Sequence, residues 1–447
     1  MKKKLFVLSM DAMVREDIAY MENKPNFRKI MEKRAEVDKV LTVYPASTYP
    51  AHTTLMTGCY PGKHGVFANF QLKTFKDGIP HWATNSSWVY AEDIFAAAKR
   101  AGCTTASVFW PITANNPNVD YIINEYFFYY PDEINHVEEI FAEQGANEAT
   151  LKVIRENMHL FPKKEGREPL ADRFDGFLMG CTCSLIRNEQ PDVILVHNCI
   201  LDTFRHEGGV FGDWVTKGLD RTDEWLGNVI AAMEDAGVYE DTNFIILSDH
   251  GQMDIRNYIH LNVLFREAGL LEVAPDGGIY NWKAYSQANG FSTTVHLVDN
   301  TNKKLYDQVY AYLQQLQESG KYGIRKIYTK DELLEQYGQA GPYSFMVEAE
   351  DDYGFVNSWT AEHPIVPLAN GGIHGTHGHT PERGPQPVFM AHGPDFKEGA
   401  KIDHAKLVDV APTLAAVLGQ TLADADGRVM TELLKRGKSY AETNLNC

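Results

Sequence analysis

Five short apolar runs punctuate the chain: Lys4–Ser9 (KLFVLS), Ala106–Trp110, Val193–His197 (VILVH), Phe244–Ser248 (FIILS) and Pro387–Ala391. They do not alternate apolar with polar positions, so they predict strands covered on both faces, as in a parallel sheet. Between them the spacing becomes helical. Across Arg221–Ala236, Trp225, Leu226, Val229, Ile230 and Met233 fall on one face, and Gly237 supplies a stop. Strand–helix alternation predicts an α/β fold, a doubly wound and mostly parallel sheet. The rhythm changes from about Glu267 to Phe355. Here the pattern reads as strand Phe291–Leu297, helix Asn302–Gly320, strand Gly323–Tyr328 and strand Ser344–Glu350. A smaller α+β cap subdomain over 267–355 is therefore expected, inserted into a catalytic core made of 1–266 and 356–447. A second insertion, mostly helical and polar, is expected over Phe127–Gly166.

With 447 residues, 44% of them hydrophobic, the chain can bury a large core. A net charge of −18 argues against a general binder of nucleic-acid polymers, whose phosphate contacts need a basic face. An anionic small molecule remains compatible, because bound divalent ions reverse the field inside a pocket. Six cysteines do not form a disulfide framework, and Cys181 and Cys183 read as small buried residues. Leu5–Met10 is too short for a signal segment, and no apolar run reaches the roughly 18 residues of a membrane span. The expectation is a cytoplasmic protein with no membrane partner.

Three aspartates share a topological position. Asp11 follows the first strand, Asp249 follows Phe244–Ser248, and Asp202 comes shortly after Val193–His197. In a parallel sheet the carboxyl ends of the strands form one rim, where ligands bind. Carboxylates gathered there repel one another unless cations sit among them. Asp202-x-x-x-His206 and Asp249-His250 add imidazoles, and mixed Asp/His donors suit Zn²⁺, with Mn²⁺ or Fe as substitutes. A lone Asp after a strand is more often a turn or cap residue, so the weight lies in the combination. Ser47 and Thr48 lie between two prolines ahead of a possible helix, whose N-terminus is a ready phosphate site. Gly58-x-x-x-Gly62-Lys63-His64 has the wrong spacing for a Walker loop.

The order of motifs resembles the alkaline phosphatase superfamily, and within it the type I phosphodiesterase/nucleotide pyrophosphatase family. The matching pieces are MDAM around Asp11, YPASTYPAHTTLMTGCYPGKHGV, VFWP at 108–111, DTFRHEGG, LSDHGQ and GTHGHTP. The likeness runs from Leu5 to about Glu432 outside the insertions, with Leu407–Gly419 as the closing helix. The resemblance implies an alkaline phosphatase-like fold and two zinc ions. Asp11, Asp249 and His250 would hold the ion that binds and activates Thr48; Asp202, His206 and His377 would hold the second. His374 and His379 stand close by as alternatives to His377. Asn69 matches the asparagine that donates to a non-bridging phosphoryl oxygen. Tyr49, Phe70, Trp88 and Tyr90 are leaving-group pocket candidates by analogy, with Tyr49 foremost. His52, His64, His363 and His392 read as structural.

Three positions depart from the family pattern. Arg205 replaces the usual glycine and would either grip an anionic substrate or point to solvent. Gln252 replaces methionine and reads as neutral. His197 stands where nucleotide-cleaving members carry a base-stacking tyrosine, which weakens the expectation of a nucleotide. The implied reaction is hydrolysis of a phosphodiester or pyrophosphate bond through a phosphothreonine, on a small phosphoester or nucleotide-like molecule. The neutral Asn69 suits a monoanionic diester. A phosphomonoesterase or phosphonate hydrolase on the same scaffold is the alternative, and a catalytically silent binding protein is the remote one.

Overall fold

Leu5 and Val7 point to one side of the first strand, and Phe6, Leu8 and Met10 to the other; all five are buried. In the computed structural model, which describes residues 4–70, 72, 82–126, 133–161, 170–369 and 372–435, that strand is the middle of a large sheet. The strands are β1 (Lys4–Met10), β2 (Ala35–Leu41), β3 (Thr105–Val108), β4 (Tyr121–Ile123), β5 (Val193–Asn198), β6 (Thr242–Leu247) and two late ones, Phe389–His392 and Lys401–Lys406. Their spatial order is Lys401–Lys406, β2, Phe389–His392, β6, β1, β5, β3, β4. β1 pairs in parallel with both β5 and β6.

Helices cover both faces, the doubly wound arrangement that continuous apolar strands require. On one face Phe6, Leu8 and Met10 meet Phe177 and Leu185 of the helix Leu170–Asn188, and Trp225 and Val229 of the helix Asp213–Asp235. On the other, Leu5 and Val7 meet Ala51, Leu55 and Met56 of the helix Thr48–Thr57, and Leu414 of the closing helix Val410–Val417. Each such fully buried Leu, Val or Phe contributes about 1.5–3 kcal/mol.

One strand runs against expectation. Phe389–His392 pairs antiparallel with both β2 and β6. Continuous burial reports that a strand is covered on both faces; it carries no information about direction. Three other members escaped the apolar pattern for physical reasons: β2 breaks its apolar positions with Glu36, Asp38 and Lys39. Lys401–Lys406 is a polar edge strand, and β4 is a three-residue edge.

The expected cap elements appear as a four-stranded antiparallel sheet in the order Ala284–Ala288, Ser292–Leu297, Phe345–Ala349, Ile324–Thr329. The helix Lys303–Glu318 starts where Asn302 caps the Leu305 amide, and buries Val309 and Leu313 against the sheet. The same apolar cluster includes Ile255, Ile259, Leu261, Leu264 and Phe265, so the boundary expected at 266/267 falls inside continuous packing. Strand Met253–Ile259, which follows Asp249 and His250, joins Asp352–Phe355, Ile365–Pro367 and Gly375–Thr376 in a second sheet. Within the second expected insertion, the helices Val137–Glu143 and Glu148–Asn157 bury Val137, Phe141, Val153 and Ile154 in the main core. Residues 127–132 and 162–166 of that insertion lie outside the described residues. Among the described residues, no helix is long and apolar enough to cross a membrane.

Candidate active site

β5, β1 and β6 are neighbours and parallel, so their carboxyl ends deliver Asp11 and Asp249 directly to one rim. Asp202 arrives in the first turn of the helix Ile200–Gly208, which follows β5. His206 lies one turn further along the same helix face, with Nε2 3.3 Å from Asp202 Oδ2. Its other nitrogen, Nδ1, is 2.6 Å from the Gly375 carbonyl, which leaves Nε2 free for the site. The potential donor atoms form two groups, each within 4.8 Å: Asp11, Asp249 and His250, and Asp202, His206 and His377. The first group is buried; the second is partly open to solvent. His377 is the histidine of its loop that joins the rim, its ring centroid 4.4 Å from that of His250. His379 is buried beside Phe291 with Nδ1 at the Thr380 carbonyl, and His374 donates its amide to the His206 carbonyl.

Thr48 opens a ten-residue helix that is buried throughout, which is why the segment shows no apolar stripe. Its Oγ1 lies 3.3 Å from His250 Nε2. The Ser47 hydroxyl is already committed, donating to Asn69 Oδ1 at 2.9 Å. The Tyr49 amide donates to the same oxygen at 2.9 Å. A backbone N–H can only donate, so the Asn69 orientation is fixed with Nδ2 as its remaining donor end. One turn into the helix, His52 Nδ1 sits 2.9 Å from the Thr48 carbonyl and 3.3 Å from Asp249 Oδ2, while Nε2 faces Ser9 Oγ.

The donor set fits divalent metal. Among the described residues, Asp11 Oδ1 and His377 Nδ1 are buried without a hydrogen-bond partner, and Asp249 Oδ2 has only the His52 and His250 imidazoles beside it, at 3.3 and 3.2 Å. Leaving such atoms bare costs about 1–3 kcal/mol each, and more for charged groups. Burial, then the Asp249 and Asp202 charges, push the Asp11 carboxyl well above the usual carboxylate range. A cation among these groups removes both penalties, and mixed nitrogen and oxygen donors suit zinc, manganese or iron better than calcium.

The family model for type I phosphodiesterase/nucleotide pyrophosphatase matches residues 5–380. The chain belongs to that family. It is a phosphoric-ester hydrolase. Among its relatives are the bis(5'-adenosyl)-triphosphatase enpp4 of Xenopus laevis, 23% identical over 94% of this chain and 78% of the relative. Human ectonucleotide pyrophosphatase/phosphodiesterase family member 5 is 23% identical, over 95% of this chain and 76% of the relative. The solved murine family member 5 superposes with a TM-score of 0.66 at 18% identity, covering 97% of this chain and 100% of that one. Its likeness establishes the shared α/β fold, with the large, mostly parallel sheet.

Several positions in this phosphodiesterase-family chain sit differently from expectation. Arg205 neither grips a ligand nor reaches solvent. It is fully buried, paired with Asp17 and donating to the Ala12 and Val210 carbonyls, a strut beneath the helix that carries Asp202 and His206. His197 is buried as well and cannot stack on a base; its Nε2 meets Asp11 Oδ2 at 3.1 Å. That removes the argument against nucleotides drawn from this position. Gln252, far from neutral, donates to Asp202 Oδ1 and to its carbonyl. The Tyr49 ring is wholly enclosed, packed on Trp82 with Val66, Ala83 and Ile112, so it backs the wall instead of lining open space. Phe70 packs on the other side of Trp82, and Trp88 and Tyr90 are exposed. His52 supports Asp249, a role invisible in sequence because the two lie far apart along the chain. His64 is structural, bonded to Thr54 and Val66, with burial lowering it to about 3.

The His377 loop is held from two sides. The cap's Phe291 amide donates to the His377 carbonyl at 2.8 Å, and the Gly378 amide donates to the Ala46 carbonyl at 2.6 Å. Gly378 has φ +91, and a Cβ there would collide with the Asn289 carbonyl oxygen. Gly378→Ala is expected to destabilise the protein by about 2–5 kcal/mol, combining left-handed strain with a backbone clash. Urea denaturation reads the loss, and an unchanged midpoint would remove this contact as a constraint on His377.

Proposed function

We propose that this chain hydrolyses phosphodiester or pyrophosphate bonds of nucleotide-like small molecules, through a phosphothreonine at Thr48 and with two zinc ions. The observation that carries this reading is Thr48 Oγ1 at a helix N-terminus, 3.3 Å from His250 in the buried donor group. Asp11, Asp249 and His250 would hold one zinc; Asp202, His206 and His377 would hold the other. Bound zinc supplies Lewis-acid charge, which lowers the pKa of a hydroxyl and offsets charge on a departing oxygen.

Thr48 loses its hydroxyl proton to solvent, and Oγ1 attacks phosphorus in line with the leaving oxygen. The Oγ1–P bond forms as the bond to the leaving group breaks, and the leaving group takes a proton from water. A water molecule then attacks phosphorus from the vacated side. The Oγ1–P bond breaks, releasing a phosphate monoester and restoring the Thr48 hydroxyl. Asn69 Nδ2 and the Thr48 backbone N–H hold a non-bridging oxygen through both displacements.

Preference for a diester rests on charge. Asn69 is neutral, and the cation offered by the motif, Arg205, is spent on Asp17. A monoester dianion would find a weaker match there than a monoanion. A nucleotide-like substrate is supported by the family and by the solved complex of an inactive murine family member 5 with AMP. The test compares bis-p-nitrophenyl phosphate with p-nitrophenyl phosphate on zinc-reconstituted protein. The diester should win by about tenfold or more in kcat/KM, at least about 1.4 kcal/mol in transition-state binding. A preference for the monoester overturns the diester assignment.

A further inference from the structure

His197 ends β5 fully buried, and the groups its ring nitrogens face are all acceptors. Nε2 faces Asp11 Oδ2 at 3.1 Å. Nδ1 faces the Phe109 carbonyl at 3.2 Å and Glu125 Oε1 at 3.3 Å. One ring nitrogen thus meets Asp11 and the other meets Glu125 and the Phe109 carbonyl, so the ring bridges the two carboxyl groups. Glu125 follows the edge strand β4 and is itself buried; among the described residues its second oxygen, Oε2, has no hydrogen-bond partner. Its other oxygen, Oε1, is the one that meets His197. Phe109 bends into the left-handed region at φ +55, a strained conformation for a bulky residue, on leaving β3. The chain from Glu125 through His197 to Asp11 crosses the rim from the sheet edge to its centre.

The two oxygens of Asp11 consequently differ. Oδ2 is engaged by His197, whereas Oδ1 has no hydrogen-bond partner among the described residues and lies 3.5 Å from His250 Nε2. We infer that Glu125 and His197 are positioning residues for the first metal site, turning Asp11 so that it presents Oδ1 alone to the ion. This rests on the reading of Asp11, Asp249 and His250 as ligands. A space-filling role would be met by any apolar ring of similar size, without burying an imidazole against two carboxylates. A supported carboxylate loses less orientational freedom on binding an ion, so the support acts on metal affinity.

The test measures zinc binding by competition with a chromophoric chelator, in a His206→Ala background that disables the second donor group. Circular dichroism checks the fold of each variant. Adding His197→Leu is expected to weaken binding about 10- to 100-fold, while His197→Gln, whose amide nitrogen still reaches Asp11, stays within about threefold. The isosteric Glu125→Gln should weaken binding to an intermediate degree, and it decides the matter if His197→Leu does not fold. Parent-like affinity in His197→Leu, or in Glu125→Gln when that variant decides, overturns the inference and leaves the ligand reading standing. If the His206→Ala parent binds no zinc, or if adding Asp249→Ala leaves its binding intact, the ligand reading falls and takes the inference with it.

Discussion

Thr48→Ala is expected to abolish turnover of a diester, by about four orders of magnitude or more, while zinc stays bound. In the proposed reaction the side chain contributes a nucleophile and little else. It is buried in the first turn of its helix, and the fold around it is carried by Ala51, Leu55 and Met56 in the core behind. Removing one hydroxyl leaves the six donor residues in place. Ser47 cannot substitute, because its hydroxyl is tied to Asn69 and belongs to the N-cap residue, outside the helix. Single-turnover kinetics together with metal analysis would read the two halves of this expectation separately. Turnover within a factor of about ten of the parent, with metal retained, removes Thr48 as the nucleophile.

Chelation, or Asp249→Ala, should have the next largest effect, acting on activity and stability together. Asp249 is fully buried, accepts from the Ala12 amide, and lies 3.3 Å from His52 and 3.2 Å from His250. Its removal deletes a proposed ligand and leaves those groups facing an empty space. An ion that binds only the folded state stabilises it by about 2.7 kcal/mol at a hundredfold excess over Kd. Stripping zinc from the parent should therefore lower its melting temperature and its turnover, and added zinc should restore both. Asp249→Ala should start lower and respond less to the chelator. Undiminished turnover after exhaustive chelation and dialysis would contradict a metal-dependent reaction.

Much of the site was readable before any tertiary contact was known, for reasons that are local. Asp11 and Asp249 directly follow apolar runs, which places them on the carboxyl rim once the strands are parallel. Asp202 and His206 are four residues apart on a helix, so one face carries both. The family resemblance chose Thr48 over Ser47, and the hydrogen bond from Ser47 to Asn69 supplies a physical reason for that choice. Less legible was the loop holding His374, His377 and His379. It has no periodicity, so nothing local ranks three histidines of the same kind. The Phe291 amide and the Ala46 carbonyl hold that loop, and His377 meets the rim while His379 turns toward Phe291 and Arg383.

The pattern of apolar positions by itself determined a covered, mostly parallel sheet with a mixed insertion, and the motif order determined the family. Both survive because they depend on neighbours within a few residues: side-chain alternation, helical spacing, and the residue type at the end of a strand. Tertiary structure alone decided the reversed direction of Phe389–His392, the burial of Arg205 on Asp17, and the support of Asp11 by His197 and Glu125. Each of these depends on partners far apart in sequence, 188 residues in the case of Arg205 and Asp17. A buried charge cannot remain unpaired, but local sequence does not say which distant group will pair with it. The same arginine that looked like a hand for the substrate is therefore a strut under the helix that carries Asp202 and His206.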